Sequence, residues 1–195
     1  VLRWRAWTAW AAALTAAFAL AGCQPIQKSS SVPTTFTNRL ADEKTTPIAK
    51  FDATTKGASL YERVTVYDAS GRKVTLDAHK QPLLFEAYWC PHCQRTIVLL
   101  HQHASQLRRF PVFVSVGFAK GTTLAQAKRI NGQEMRAFGI RHAKVYYLLE
   151  GDHGQYSFPT LAFARDGQVE LLKGEHTLPV WKQALGATNG NGLTT

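Results

Sequence analysis

Cys90 and Cys93 stand two residues apart in Trp89-Cys90-Pro91-His92-Cys93. A pair at this spacing clamps a metal, locks a loop as a structural disulfide, or cycles between dithiol and disulfide. On a helix, residues i and i+3 share one face, so two sulfurs there can close a small ring. With Cys90 at the helix start, its sulfur meets free backbone N–H groups and the positive end of the helix dipole. A thiolate is stabilised at such a place, so Cys90 is expected to ionise more readily than a free thiol and to attack first. Cys93, one turn deeper, is placed to resolve the mixed disulfide. Pro91 suits a first helical turn. His92 adds a donor or a positive charge near the Cys90 sulfur, unless it is only an exposed turn residue. Stabilising the thiolate favours the reduced protein and makes the disulfide more oxidising.

Histidines further on raise the metal alternative. His101 lies eight residues past Cys93, roughly 12 Å along a helix axis at 1.5 Å per residue. Zinc ligands converge within about 2.3 Å of the ion, so His101 and His103 read as surface residues of the helix, and no metal site is expected. Copper held by the two thiolates and a distant histidine, such as His153 in the loop Gly151 to Gly154, stays open as a chaperone reading.

The elements around the cysteines decide how they are held. Pro82 to Trp89 is a nearly continuous apolar run, which predicts a buried central strand. Glu86 interrupts it, four residues before Cys90, with the pleat parity of Leu84 and Tyr88. It either takes proton traffic from Cys93 or points into a solvated cleft. After the cysteines, Ile97, Leu100, Ala104 and Leu107 fall at helical spacing. Residues 111–118 predict a second buried strand, and a helix is expected from Thr122 or Thr123. The segment 143–149 predicts a short strand. Before all of these, Val64, Val66, Val74 and Leu76 alternate with polar residues around Asp68 to Gly71, a β-hairpin. A second hairpin turns at Asp166-Gly167. A last helix begins near Pro179 and ends at Gly186.

The order is hairpin, β-α-β, helix, hairpin, helix, with the cysteines where a buried strand turns into a helix. This resembles the thioredoxin fold over roughly residues 60–186. The expected class is α/β, a central mixed β-sheet flanked by helices with an N-terminal β-hairpin. The anchors of the resemblance are Trp89 to Cys93 and Phe158-Pro159-Thr160. It implies a cis peptide at Pro159 opposite the cysteines, and substrate contacts at Trp89, Phe158 and Thr160. It also implies a redox-active Cys90–Cys93 disulfide with no further cofactor. The family carries a buried acid six residues before the first cysteine; here that position is Leu84, so its role does not transfer directly to Glu86. Pro-His between the cysteines resembles the DsbA group of dithiol oxidases. The leading hairpin resembles the membrane-tethered ResA and TlpA group, many of them reductants for cytochrome c or metal-site maturation. The topology therefore leans to a reductase and the dipeptide to an oxidase; the dipeptide, which touches the sulfur chemistry directly, favours disulfide donation.

The chain opens with Arg3 and Arg5 and then an uncharged run from Ala6 to Ala21. That run is short for a spanning helix of about 20 residues and reads as a secretory signal over residues 1–22. Leu20 to Cys23 resembles the lipobox of bacterial lipoproteins, which implies lipidation of Cys23 and an anchor on the extracytoplasmic face of a cell membrane. With three cysteines in all, a lipidated Cys23 leaves Cys90 and Cys93 only each other. Residues 23–59 are polar, with apolar residues singly placed, and predict a flexible tether. Residues 187–195 predict a loose tail. The net charge is +10, but the basic residues are scattered without interleaved aromatics, so nucleic acid is not an expected partner. Expected partners are thiol- or disulfide-containing secreted proteins, a membrane redox partner, and the bilayer itself.

Overall fold

A computed structural model describes residues 32–149 and 153–188; of His153 only the backbone is described. The expected signal peptide and Cys23 lie outside the described residues. A short helix α1 (Ser59–Glu62) leads into β1 (Arg63–Tyr67) and β2 (Lys73–Asp77). Then come β3 (Leu83–Glu86), α2 (Pro91–Gln102), β4 (Val112–Ser115), α3 (Leu124–Ala137) and β5 (Val145–Tyr147). The chain closes with β6 (Thr160–Arg165), β7 (Gln168–Lys173) and α4 (Leu178–Leu185).

The strands form one sheet in the order β2-β1-β5-β4-β3-β6-β7. β3, β4 and β5 run parallel; the two hairpins join antiparallel on either side. This is the mixed sheet with flanking helices expected from the sequence, with β3-α2-β4 and β6-β7-α4 in the thioredoxin-like order. The central strands are buried on both faces: every residue of β3 and β4 is buried. That explains their unbroken apolar sequence, since both pleat faces need cover. Leu83 and Phe85 pack with Tyr61, Val64 and Val114 on one face. Leu84 packs on the other with Ile97, Leu100 and Trp181, from α2 and α4. Each such fully buried large side chain contributes about 1.5–3 kcal/mol.

Local chemistry explains the element ends. In the first turn the Asp68 carboxylate accepts from the backbone N–H groups of Ser70 and Arg72 at 2.9 and 3.0 Å. Asp166 and Gly167 both take positive φ, 49° and 80°, as a two-residue hairpin turn requires. Thr123 caps α3 in a reciprocal box with Gln126.

Residues 32–58 correct the expectation of a tether over 23–59. They lie on the domain as an extended strap. Ile48 N–H donates to Glu175 O at 2.8 Å, and Thr177 N–H donates to Ile48 O at 3.0 Å. Thr54 exchanges two backbone hydrogen bonds with Leu171, at 2.8 and 3.0 Å, along the open edge of β7. Phe36 meets Phe138 edge-on, and Phe51 meets Phe163 in the same way. The single, unperiodic apolar residues that suggested a loose chain are separate anchors of a strap, which has no repeating face to bury. The tail begins equally tied: Thr188 N–H donates to Gln106 O at 3.1 Å. The rest of it lies outside the described residues.

Candidate thiol site

After Glu86 the chain leaves the sheet, and Cys90 N–H donates back to Ala87 O at 2.9 Å. That turn puts Cys90 at the N-cap of α2 in an extended conformation, with Pro91 in the first helical turn. Both cysteines are free thiols. Cys90 is 6% exposed and Cys93 is sealed at 0%. The Cys90 thiol is lowered to about 7, first by the hydrogen bond with the Cys93 side chain. Burial opposes this; the N–H groups of Cys93 and His92 and the His92 ring assist it. Burial pushes the Cys93 thiol well up, and the charges of Cys90 and Glu86 push the same way, while a hydrogen bond from Ala87 N–H at 3.4 Å pulls it partly back. One turn of helix thus separates a slightly exposed, easily ionised sulfur from a sealed one that keeps its proton.

His92 is neither loose nor fully exposed. Its Nδ1 lies 2.8 Å from Glu175 Oε2 and 2.9 Å from Arg95 Nη2, so it donates to the carboxylate or accepts from the guanidinium. Arg95 Nε donates to both Glu175 oxygens, at 2.9 and 3.1 Å. Burial alone would raise the Glu175 carboxyl, but hydrogen bonds from Arg95 and His92 outweigh it and hold it below its usual value. The strap joins this network. Arg95 Nη1 donates to Asp42 O at 2.7 Å. Arg39 donates to Trp89 O and, through its backbone, to the buried Gln94 side chain, at 2.9 and 2.7 Å. Arg95 and Gln94 follow the motif directly, but Glu175 and the strap residues are distant in sequence and carried no local signal.

Trp89 and Phe158 flank the thiols edge to face, with ring centroids 5.2 Å apart. The Phe158–Pro159 peptide is cis, and Pro159 O accepts from Gly174 N–H at 2.8 Å. A groove of about 290 Å³ runs here, lined by His92, Phe158, Pro159, Glu175 and the strap residues Thr45 and Ile48. Thr160 corrects one expectation. It is fully buried, paired with Phe85 in the sheet, and its hydroxyl lies 3.1 Å from Ser157 Oγ, so its side chain does not face a substrate.

Trp89 Nε1 donates to Gly117 O at 2.8 Å. Gly117 holds φ of +71°, and an added Cβ would come within 3.2 Å of Ala87 Cβ and 3.4 Å of Trp89 Nε1. Gly117→Ala is therefore expected to cost about 1–2 kcal/mol in left-handed backbone alone and to displace the indole. Chemical denaturation with near-ultraviolet circular dichroism checks both effects; unchanged stability and an unchanged aromatic band would refute them.

Glu86 is 0% exposed, which overturns the solvated-cleft alternative. Burial raises its carboxyl to about 8, with the Cys90 charge adding to the rise and Ser115 and Asn131 opposing it. A second buried acid, Glu134, stands with it, also raised by burial and by the Glu86 charge. Glu134 escaped the sequence reading. The available signal was its place at i+4 from Ile130 and i+7 from Ala127, on the buried stripe of α3.

His101 and His103 are half-buried on and just after α2. Among the described residues no three His, Cys, Asp or Glu side chains gather to hold a metal ion. Nor is any described helix long and apolar enough to cross a membrane.

No protein-family model matches the chain, and no curated protein is a match. Several solved structures are similar to it. StoA from Bacillus subtilis is 15% identical, with a TM-score of 0.44 over 62% of this chain and 94% of its own. A thio-disulfide isomerase from Thermus thermophilus is 17% identical, with a TM-score of 0.45 over 74% of this chain and 100% of its own.

Proposed function

We propose that the chain is a thiol-disulfide oxidoreductase working through Cys90 and Cys93, held by lipid at Cys23 on the extracytoplasmic face of a membrane, where it donates disulfides to secreted proteins. The observation that carries this reading is the division of labour at the head of α2: Cys90 at the N-cap, slightly exposed and readily ionised, and Cys93 sealed behind it. In the oxidised protein a substrate thiolate attacks Cys90 Sγ, the Cys90–Cys93 bond breaks, and its electron pair leaves on Cys93, which takes up a proton. A second substrate thiolate then attacks the substrate sulfur of the mixed disulfide. Cys90 leaves as thiolate, the substrate is oxidised by two electrons, and a membrane redox partner must reoxidise the pair.

A second reading, a membrane-tethered thiol reductase, is favoured by one detail. The Glu175 carboxylate beside His92 offsets positive charge near the Cys90 sulfur and so weakens the drive toward the reduced form. The redox potential of the Cys90–Cys93 couple separates the two. It is expected nearer the roughly −120 mV of DsbA than the roughly −270 mV of thioredoxin. A value at the thioredoxin end would reverse the direction, and a protein that exchanges disulfides no faster than free cysteine would end the enzymatic reading. The copper-chaperone reading turns on His153, whose side chain lies outside the described residues.

A further inference from the structure

We propose that Glu134 and Glu86 form a single acid pair, tied by Asn131, that holds one shared proton behind the thiols and accepts or returns the Cys93 proton as the disulfide closes and opens. The proposal rests on the thiol-disulfide reading above. Glu86 ends β3, and Asn131 and Glu134 share the buried stripe of α3. Both carboxyls are 0% exposed and Asn131 is 1% exposed. The Asn131 amide nitrogen donates to Glu134 Oε2 at 3.0 Å and toward Glu86 Oε1 at 3.4 Å. An amide has two N–H bonds, so its donors are used up. Glu86 Oε2, Glu134 Oε1 and Asn131 Oδ1 remain buried without a protein partner.

Two ionised carboxylates are acceptors only and cannot satisfy one another; a carboxylic O–H is a donor and can. Two buried like charges at one site also repel, so such a pair keeps one proton over a wide range of pH. The groups acting on the two acids are Cys90, Cys93, Tyr88, Tyr147 and Ser115, besides Asn131. None of these brings a positive charge to let both acids ionise. The thiol end is close: Ala87, next to Glu86, donates its N–H to Cys93 Sγ at 3.4 Å.

The pair limits the buried charge during proton transfer to one. With one proton it carries a single negative charge. When Cys93 must attack a mixed disulfide, its proton passes to the pair, which becomes neutral while Cys93 becomes the thiolate. The Cys93 sulfur then bonds to Cys90, and the substrate sulfur leaves with the electron pair. In the opposite direction, the neutral pair returns a proton to Cys93 as that sulfur leaves. The low-dielectric site never holds more than one negative charge: the departing substrate sulfur carries it away as the disulfide closes, and Cys93 brings it back as the bond opens, so no step buries a second. Glu134 is a positioning residue here: it sets the basicity of Glu86.

The test is the pH dependence of the buried carboxylic C=O stretch, read by infrared spectroscopy, beside that of the exchange rate. The wild type is expected to show a protonated buried carboxyl at neutral pH. Glu134→Gln removes the like charge and is expected to move the remaining carboxyl titration, and the matching limb of the rate profile, down by about one pH unit or more. Glu134→Asp, which keeps a carboxyl, should restore much of the shift. Loss of rate with an unmoved profile would leave Glu134 a structural role only and overturn the proposal. So would a wild type with no protonated buried carboxyl, a measurement that needs no variant to fold. A wild type that shows the shared proton but exchanges no disulfides would instead sink the oxidoreductase reading.

Discussion

Replacing Cys93 with alanine is expected to stop turnover and leave a stable mixed disulfide between Cys90 and the substrate. Cys90, lowered to about 7, is about half thiolate at neutral pH, where a free cysteine is ionised to only a few per cent. It remains the nucleophile in Cys93→Ala. Its attack slows, because the Cys93 side chain is the first contributor to its acidity. The adduct nevertheless persists, since among the described residues the other cysteine is gone. Cys90→Ala behaves differently. Cys93 is fully buried, and its raised thiol keeps its proton, so neither substrate nor alkylating agent reaches a reactive sulfur. Non-reducing gels and intact mass after mixing with a disulfide-bearing peptide check both variants. Multiple-turnover exchange should fall to the uncatalysed rate in each, with adduct in Cys93→Ala alone. Comparable adduct on Cys93 in Cys90→Ala would mean that the order of attack is wrong.

The part of this site that lies within one strand-turn-helix passage was legible from the residues. Cys90, Pro91 and Cys93 take their roles from helix geometry, which operates within a turn and is written locally. The buried strands were equally legible, because cover on both faces demands an unbroken apolar run such as Leu83 to Phe85. What escaped depends on long-range contact. Glu175 reaches His92 from the far side of β7, 83 positions away in sequence. The strap was misread because Phe36, Ile48 and Phe51 follow no period, and periodicity is the signal by which an apolar face is recognised. Glu86 stays ambiguous in the sequence, since a strand residue's parity does not say what covers its face. The answer came from α3, whose Asn131 and Glu134 occupy positions that an apolar stripe would fill.

A chain beginning at residue 60, the domain start suggested by polarity, is expected to be less stable than one beginning at residue 32 by a few kcal/mol. The loss has three sources. Thr54 shields β7, which stands at the edge of the sheet; without it, unpaired N–H and C=O groups along Leu171 invite pairing between chains. Phe51 sits between Phe163 and the Arg165 guanidinium, 4.9 Å above its ring. The fully buried His176 loses Asp52, whose Oδ1 lies 3.0 Å from its Nε2, and a buried polar group left unpaired costs about 1–3 kcal/mol. Ordering the strap has its own entropic cost, which is why the net effect stays well below the sum of its contacts. The shorter chain also strips Arg95 of its bonds to Leu40 O, Asp42 O and Glu43 O, loosening the group that braces His92. Denaturant midpoints of the two chains, measured with sedimentation at rising concentration, give the answer. The shorter chain should unfold earlier and self-associate. Equal midpoints and a monomer at all concentrations would mean that the strap is a passenger after all.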